Sequence, residues 1–378
     1  MALARSEENL VLHEASRREF LCGVGASLLV GGCASSPFSP DDRYVRAENA
    51  LKEQIEAGMI DGAVFTTTDD ERFFSVGDRR TAPRRVPMSA DTLFDVASLT
   101  KPVVAACAAL LYADGKLDPA APFVRYLPDH SAGLGCGITV TDLATHTSGF
   151  RYLMADGSDE ARFRRDMLSH LPAEPRGERF RYCCYNYILL GMIVECISGL
   201  RLDRFARSRL FGPLSMRHSK WGPTDDPKTV AFRHARPGMA FAPPGRIVDR
   251  IARTCAFPIG NAGLFTTAGD LRLFAEDILA RRTFPAAYYD LMLTCATNGG
   301  DARRSFGWDM RASRRPSGCS DRTILHTGST GQTLVIDPVR NRAVVLLTAR
   351  RGGHDEAIAG RRHVCEILLG CGTNGVKM

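Results

Sequence analysis

Asp95-Val96-Ala97-Ser98-Leu99-Thr100-Lys101-Pro102 places a lysine three residues after a serine, at the start of an apolar run that ends before Asp114-Gly115. The pattern from Ser98 to Ala113 is helical. Positions three apart on a helix share a face, so Lys101 brings its amine to the Ser98 oxygen. A serine hydroxyl is a poor nucleophile until a base takes its proton. A place in the first turn adds free N–H groups and partial positive charge, which favour a developing oxyanion. Pro102 fits, because the first turn does not use its missing N–H. An amine acting as the base needs a lowered pKa, which a dry pocket and a nearby cation supply. Alone the spacing is a weak signal: Ser98 reads equally as a helix cap and Lys101 as a solvated side chain. Here, however, no other serine has a lysine three residues on, and lysine is otherwise confined to Lys52, Lys116, Lys220, Lys228 and Lys377.

Two segments further along carry the same kind of chemistry. Phe180-Arg181-Tyr182-Cys183-Cys184-Tyr185-Asn186-Tyr187 follows Pro175-Arg176-Gly177, and His326-Thr327-Gly328-Ser329 opens a strand-turn-strand near the C-terminus. Gly328 lets backbone approach a ligand closely, and the N–H of Ser329 is a candidate oxyanion donor. Each has a plain structural reading too: Tyr182 as a core aromatic, His326 and His146 as structural histidines. The vicinal Cys183-Cys184 pair invites a redox or metal reading, against the simpler one of small residues substituted beside a site.

The order S-x-x-K, tyrosine motif, H/K-T-G resembles the serine β-lactamase and penicillin-binding-protein family: class C β-lactamases, DD-peptidases and their esterase relatives. Other stretches resemble it as well, in the right order and over nearly all of the chain after Asp42. They include His146-Thr147-Ser148-Gly149, Gly212-Pro213-Leu214-Ser215-Met216 and Asn261-Ala262-Gly263-Leu264-Phe265-Thr266-Thr267-Ala268. The resemblance implies Ser98 as the acylated nucleophile, with Lys101 and Tyr182 sharing proton transfer and the phenolate stabilised by neighbouring positive charge. It implies an oxyanion hole from the backbone N–H groups of Ser98 and Ser329, and a substrate-binding edge of His326, Thr327 and Gly328, with Cys184 facing the substrate. It implies no cofactor and no metal.

Two departures qualify this. Family members place Asn or Asp two residues after the tyrosine; here that position is Cys184, a weak donor. Asn186, two residues along, points elsewhere. His326 replaces a permanently charged lysine and is only partly protonated near neutral pH, so recognition of a substrate carboxylate is expected to be weaker and pH-dependent. Efficient β-lactam hydrolysis is therefore not expected. The expected substrates are small peptides, amides or esters; the alternative is a catalytically silent binder of peptidoglycan fragments.

Around these motifs the elements predict an α/β chain of the α+β type: an antiparallel sheet flanked by helices, built from both chain ends, with an inserted mainly helical lobe. Tyr44 to Ile60 reads as an amphipathic helix, and Ala63 to Thr68 with Arg72 to Val76 as a hairpin. Thr333 to Asp337 and Ala343 to Thr348 flank a turn, and a last helix runs from about Asp355 to Leu369. The sheet lobe is expected over about 43–97 and 252–378, and the helical lobe over about 98–251.

The chain has 378 residues, 44% hydrophobic and 24% charged, enough for a large core or two lobes sharing a cleft. Its net charge of +7 is scattered, with no basic stripe interleaved with aromatics, so nucleic-acid binding is not expected. Residues 1–42 read as a leader and tether. Ser16-Arg17-Arg18-Glu19-Phe20-Leu21 precedes a short apolar run to Val30, the mark of a twin-arginine export signal. Val30-Gly31-Gly32-Cys33 resembles a lipobox, which makes Cys33 a candidate lipidation site and membrane anchor. A periplasmic or membrane-anchored lipoprotein is the expected location. The ten cysteines after the leader form no CxxC pair and show no zinc-site spacing with histidine.

Overall fold

The sheet expected from the two chain ends is present in the computed structural model, which describes residues 40–370 except 178, 231–242, 298–301 and 352–353. The leader motifs, with Arg17, Arg18 and Cys33, lie outside the described residues, as does Cys371. Eleven strands are seen among the described residues: β1 (Ile60–Thr67), β2 (Phe74–Arg80), β3 (Val86–Pro87), β4 (Phe94–Asp95), β5 (Lys220–Trp221), β6 (Leu264–Thr266), β7 (Arg304–Ser305), β8 (Trp308–Asp309), β9 (Ile324–Thr327), β10 (Gln332–Asp337) and β11 (Arg342–Arg350). The main sheet runs β3-β2-β1-β11-β10-β9-β8-β7, and its strand pairs among the described residues are antiparallel. The first and last strands of the described chain thus meet at its centre, with Val64 opposite Leu347.

Helices cover both faces: α1 (Pro40–Glu56), α2 (Thr100–Ala113), α3 (Val140–Thr145), α4 (Glu160–Ser169), α5 (Cys184–Ser198), α6 (Leu202–Ala206), α7 (Ala268–Ala280), α8 (Ala286–Leu293) and α9 (His354–Leu368). Side chains alternate across a strand, and the apolar residues of β10 sort accordingly. Leu334 and Ile336 join the core shared with α2, α5 and α7, whereas Val335 joins Tyr44, Leu51, Val364 and Leu368 under α1 and α9. Because both faces are covered, β1 is buried along its whole length, with the apolar stretch Ala63-Val64-Phe65 at its centre.

The helix α2 is buried from Thr100 to Leu111, as expected of a helix that is apolar all round. It begins two residues later than the sequence pattern indicates. Ala97–Leu99 forms a 3₁₀ turn leading into it, so Ser98 sits just ahead of the α-helix and Lys101 and Pro102 lie in its first turn. A second sheet, β4-β6-β5, pairs Asp95 with Phe265 and so fixes the chain immediately before Ser98. Among the described residues no helix is long and apolar enough to cross a membrane.

Candidate active site

Ala97 has φ 45°, a left-handed backbone that a residue bearing a Cβ adopts only under constraint. The constraint is visible. The carboxylate of Asp95 accepts the Ala97 N–H at 2.9 Å, and the Thr100 hydroxyl donates to the Ala97 carbonyl at 2.7 Å. The other oxygen of Asp95 accepts the N–H of Val248 at 2.8 Å. Asp95 is fully buried, and burial pushes its carboxyl up to about 6. The resulting sharp turn presents the half-buried Ser98 at the cleft floor.

Three side chains then converge. Lys101 Nζ donates to Ser98 Oγ at 3.1 Å and to the carbonyl of Asn261 at 2.8 Å. The Tyr182 hydroxyl donates to Ser98 Oγ at 2.8 Å. Asn261 belongs to the Asn261-Ala262-Gly263 stretch leading into β6, and its place here is to anchor the lysine. Tyr182 lies in the segment before α5 and is held by His146. The N–H of Cys183 donates to His146 Nδ1 at 3.2 Å, and the His146 and Tyr182 rings stand 4.5 Å apart. His146, the left-handed C-cap of α3, is therefore a structural histidine that positions the tyrosine directly.

Two expectations about charge are corrected. Lys101 is fully buried, and burial alone lowers an amine. Cys184 and Tyr182 next to it, negative when ionised, together with Asp249, outweigh that burial, so the Lys101 pKa is raised rather than lowered. His326 is 5% exposed, and its pKa falls to about 3 through burial, then Lys101, then Arg304. It is neutral at physiological pH rather than partly charged, with Nδ1 facing the Thr327 carbonyl at 3.1 Å.

The positive charge absent from His326 is present on Arg304, which sequence reading missed. Its side chain is almost fully buried on β7, where it pairs with Asp309 at 3.2 Å and lies over the Phe180 ring at 4.2 Å. Arg311 covers the same ring at 4.7 Å and shares Asp309. One arginine among the many in this chain gives no sequence signal. Asp95 was missed for a related reason: its role depends on a turn that only coordinates reveal.

A cavity of about 310 Å³ is lined by Ser98, Tyr182, Arg304, His326, Thr327, Gly328 and Ser329, among others. The turn bearing Ser329 approaches the segment before Ser98 very closely. A Cβ on Gly328 would meet the Val96 carbonyl at 2.5 Å, and the Thr330 hydroxyl donates to the Asp95 carbonyl at 2.9 Å. Cys184 is not among the residues that line this cavity. It is the half-buried first residue of α5, near enough to Lys101 for its charge to act there. Asn186 is buried against Ser148 and His146, away from the cleft. Among the described residues no disulfide joins the cysteines, and no cluster of three or more His, Cys, Asp or Glu is placed to hold a metal ion.

A sequence model described as Beta-lactamase matches residues 47–368. The chain belongs to the beta-lactamase family. Relatives of this beta-lactamase-family chain include a protein of Escherichia coli O157:H7 named provisionally as a D-alanyl-D-alanine carboxypeptidase, 28% identical over 313 residues and covering 70% of each chain. Another is Esterase EstB of Burkholderia gladioli, 27% identical, covering 69% of this chain and 78% of the esterase. Among solved structures, "EstCE1, a hydrolase with promiscuous acyltransferase activity" superposes with a TM-score of 0.73 at 20% identity, over 88% of this chain and 98% of the other. That similarity shows the fold: mixed helices and antiparallel sheet. The family and its relatives make this a hydrolase of the beta-lactamase family.

Proposed function

We propose that this chain is an exported serine hydrolase that cleaves peptide, amide or ester carbonyls through an acyl enzyme on Ser98. The observation that carries this is the Ser98 Oγ held at once by Tyr182, at 2.8 Å, and Lys101, at 3.1 Å. Lys101 and Tyr182, the two groups already in contact with Ser98 Oγ, share the removal of its proton. Oγ attacks the carbonyl carbon, and the negative charge passes to the carbonyl oxygen in the hollow shared by the Ser98 and Ser329 N–H groups. Tyr182 returns the proton to the leaving group as the C–O or C–N bond breaks. Water then repeats the sequence and frees Ser98.

Relatives named for a carboxypeptidase and an esterase support small peptides and carboxylic esters as the substrate class. Neutral His326 disfavours efficient β-lactam hydrolysis. Export rests on the twin arginine Arg17-Arg18, and lipid anchoring on Cys33. Cell fractionation of the Arg17→Lys, Arg18→Lys and Cys33→Ser variants tests both.

The test of mechanism is labelling by a fluorophosphonate and by a fluorescent penicillin. Both are expected to modify Ser98, and Ser98→Ala is expected to abolish the adduct in intact-mass spectra. Undiminished labelling of Ser98→Ala would overturn the assignment. The Cys184 substitution supports one alternative, a silent binder of peptidoglycan fragments, for which fragment binding without turnover is the expected result.

A further inference from the structure

The cavity that begins at Ser98 does not end there. Past Thr327 it reaches the other face of the sheet, where Thr333, Val335, Ile358, Arg361 and Cys365 line it beneath α9. Its charged lining is one-sided: Arg304, Arg311, Arg314, Arg361 and Arg362 against the single carboxylate of Asp309. Asp309 is already engaged by Arg304 and Arg311, and Arg362 pairs with Glu366 on its own helix.

Arg361 is different. It is 2% exposed, its Nε donates to the Thr333 hydroxyl at 3.2 Å, and its Nη1 is buried with no hydrogen-bond partner among the described residues. No carboxylate among the described residues forms an ion pair with it, and Arg350 nearby carries the same sign of charge. Burial lowers its pKa to about 10, so it remains a cation at neutral pH. A buried guanidinium without a counter-charge is strongly unfavourable, and a well-packed apolar side chain in its place would be more stable. An apolar helix face that nevertheless holds an unpaired arginine at a cavity wall is built to receive an anion. The planar fork of arginine fits a carboxylate, which it grips through two parallel N–H donors.

We propose that Arg361 forms a carboxylate subsite at the far end of the Ser98 cavity, selecting substrates that carry a second, non-reacting carboxylate. This rests on Ser98 being the hydrolytic nucleophile, and the test separates the two.

Hydrolysis is measured for p-nitrophenyl esters of simple fatty acids and for matched half-esters ending in a carboxylate, across a series of chain lengths. At the length that spans the cavity, the carboxylate ester is expected to be preferred by about tenfold or more in kcat/KM, the size of one charge-assisted contact. Arg361→Met is expected to bring that ratio close to one, and Arg361→Lys to leave part of it. The ratio is used because a general loss of activity cancels in it. Calorimetric titration of Ser98→Ala with glutarate provides the arm independent of catalysis: binding is expected, and its loss in the Ser98→Ala, Arg361→Met double variant. A wild-type ratio near one at every chain length, or a ratio retained in Arg361→Met, would overturn the subsite. Glutarate binding that Arg361→Met leaves unchanged would do the same. Failure of both ester classes, with glutarate binding intact and dependent on Arg361, would instead overturn the hydrolase assignment. Activation by free glutarate, with no preference among esters, would mark a separate effector and also overturn the proposal.

Discussion

The Tyr182 hydroxyl reaches Ser98 Oγ at 2.8 Å across 84 residues of chain, from a loop packed on His146. The tyrosine is 43% exposed, so its hydroxyl carries little of the fold's stability. Tyr182→Phe is therefore expected to melt within about 0.5 kcal/mol of wild type. It is expected to lose roughly 10²- to 10⁴-fold in the acylation rate, the range for a positioned proton-transfer group. Burst kinetics with an activated ester check this; a variant that acylates at the wild-type rate rules out Tyr182 as the proton acceptor.

Neutral His326 gives a signed pH dependence. Its folded pKa, about 3, lies below the ordinary 6.5, and His130 is lowered to about 4, chiefly by burial. Between those values the unfolded chain binds protons that the native chain does not, so stability is fully present above about pH 6.5 and falls as pH drops toward 3. Each such histidine contributes up to about 1.4 kcal/mol per pH unit in that window. Thermal midpoints measured from pH 7 down to 4 are expected to fall, less steeply in His326→Asn. Over the same experiment, KM for carboxylate-bearing substrates is expected to stay flat between pH 6 and 8. A KM that follows an ordinary histidine titration would show His326 to be charged.

The proposed oxyanion hollow depends on a glycine in the β9–β10 turn. A Cβ on residue 328 would lie 2.5 Å from the Val96 carbonyl and 2.7 Å from the Gln332 side-chain oxygen. The first is backbone of the segment leading to Ser98 and cannot swing aside. Gly328→Ala is expected to destabilise by about 1–3 kcal/mol, the usual cost of overpacking, and to lower kcat more than it raises KM, because the Ser329 N–H moves away from Ser98. Chemical denaturation and steady-state kinetics read the two effects separately. Unchanged kcat in a destabilised variant would remove Ser329 from the oxyanion hollow.

How much of this was visible in the chain depends on the kind of signal. The α2 and α9 patterns, the β1–β2 hairpin and the β10–β11 pair follow from local periodicity, and the structure shows each within a few residues of its expected bounds. Ser98, Lys101, Tyr182 and the His326-Thr327-Gly328-Ser329 strand were legible because each stands in a short motif and the motifs come in order. Protonation states were not legible. Whether Lys101 is neutral or charged depends on what lies beside it after folding, and Cys184, Tyr182 and Asp249 come from segments distant in sequence. Nor was the strained turn at Ala97 legible, since nothing local distinguishes an alanine at φ 45° from any other.

Arg304 supplies the charge that the histidine at 326 lacks, and this is separable from structure. Its removal leaves Asp309 paired with Arg311 at 2.6 Å, so no buried carboxylate is orphaned. Arg304 Nε and Nη1 are buried without hydrogen-bond partners among the described residues, so replacement breaks only the Asp309 pair and the stacking on Phe180. Arg304→Met is therefore expected to fold. Its kcat/KM is expected to fall by about tenfold or more, because positive charge facing Tyr182 and the reacting carbonyl favours the transition state over the ground state. The second readout is the titration of His326, which Arg304 lowers after burial and Lys101. NMR of the histidine ring in Arg304→Met is expected to show its pKa moving up without reaching 6.5, since burial remains the larger cause. A purely structural arginine would leave that titration in place, and a fall in activity without any shift of His326 would assign Arg304 to packing on Phe180.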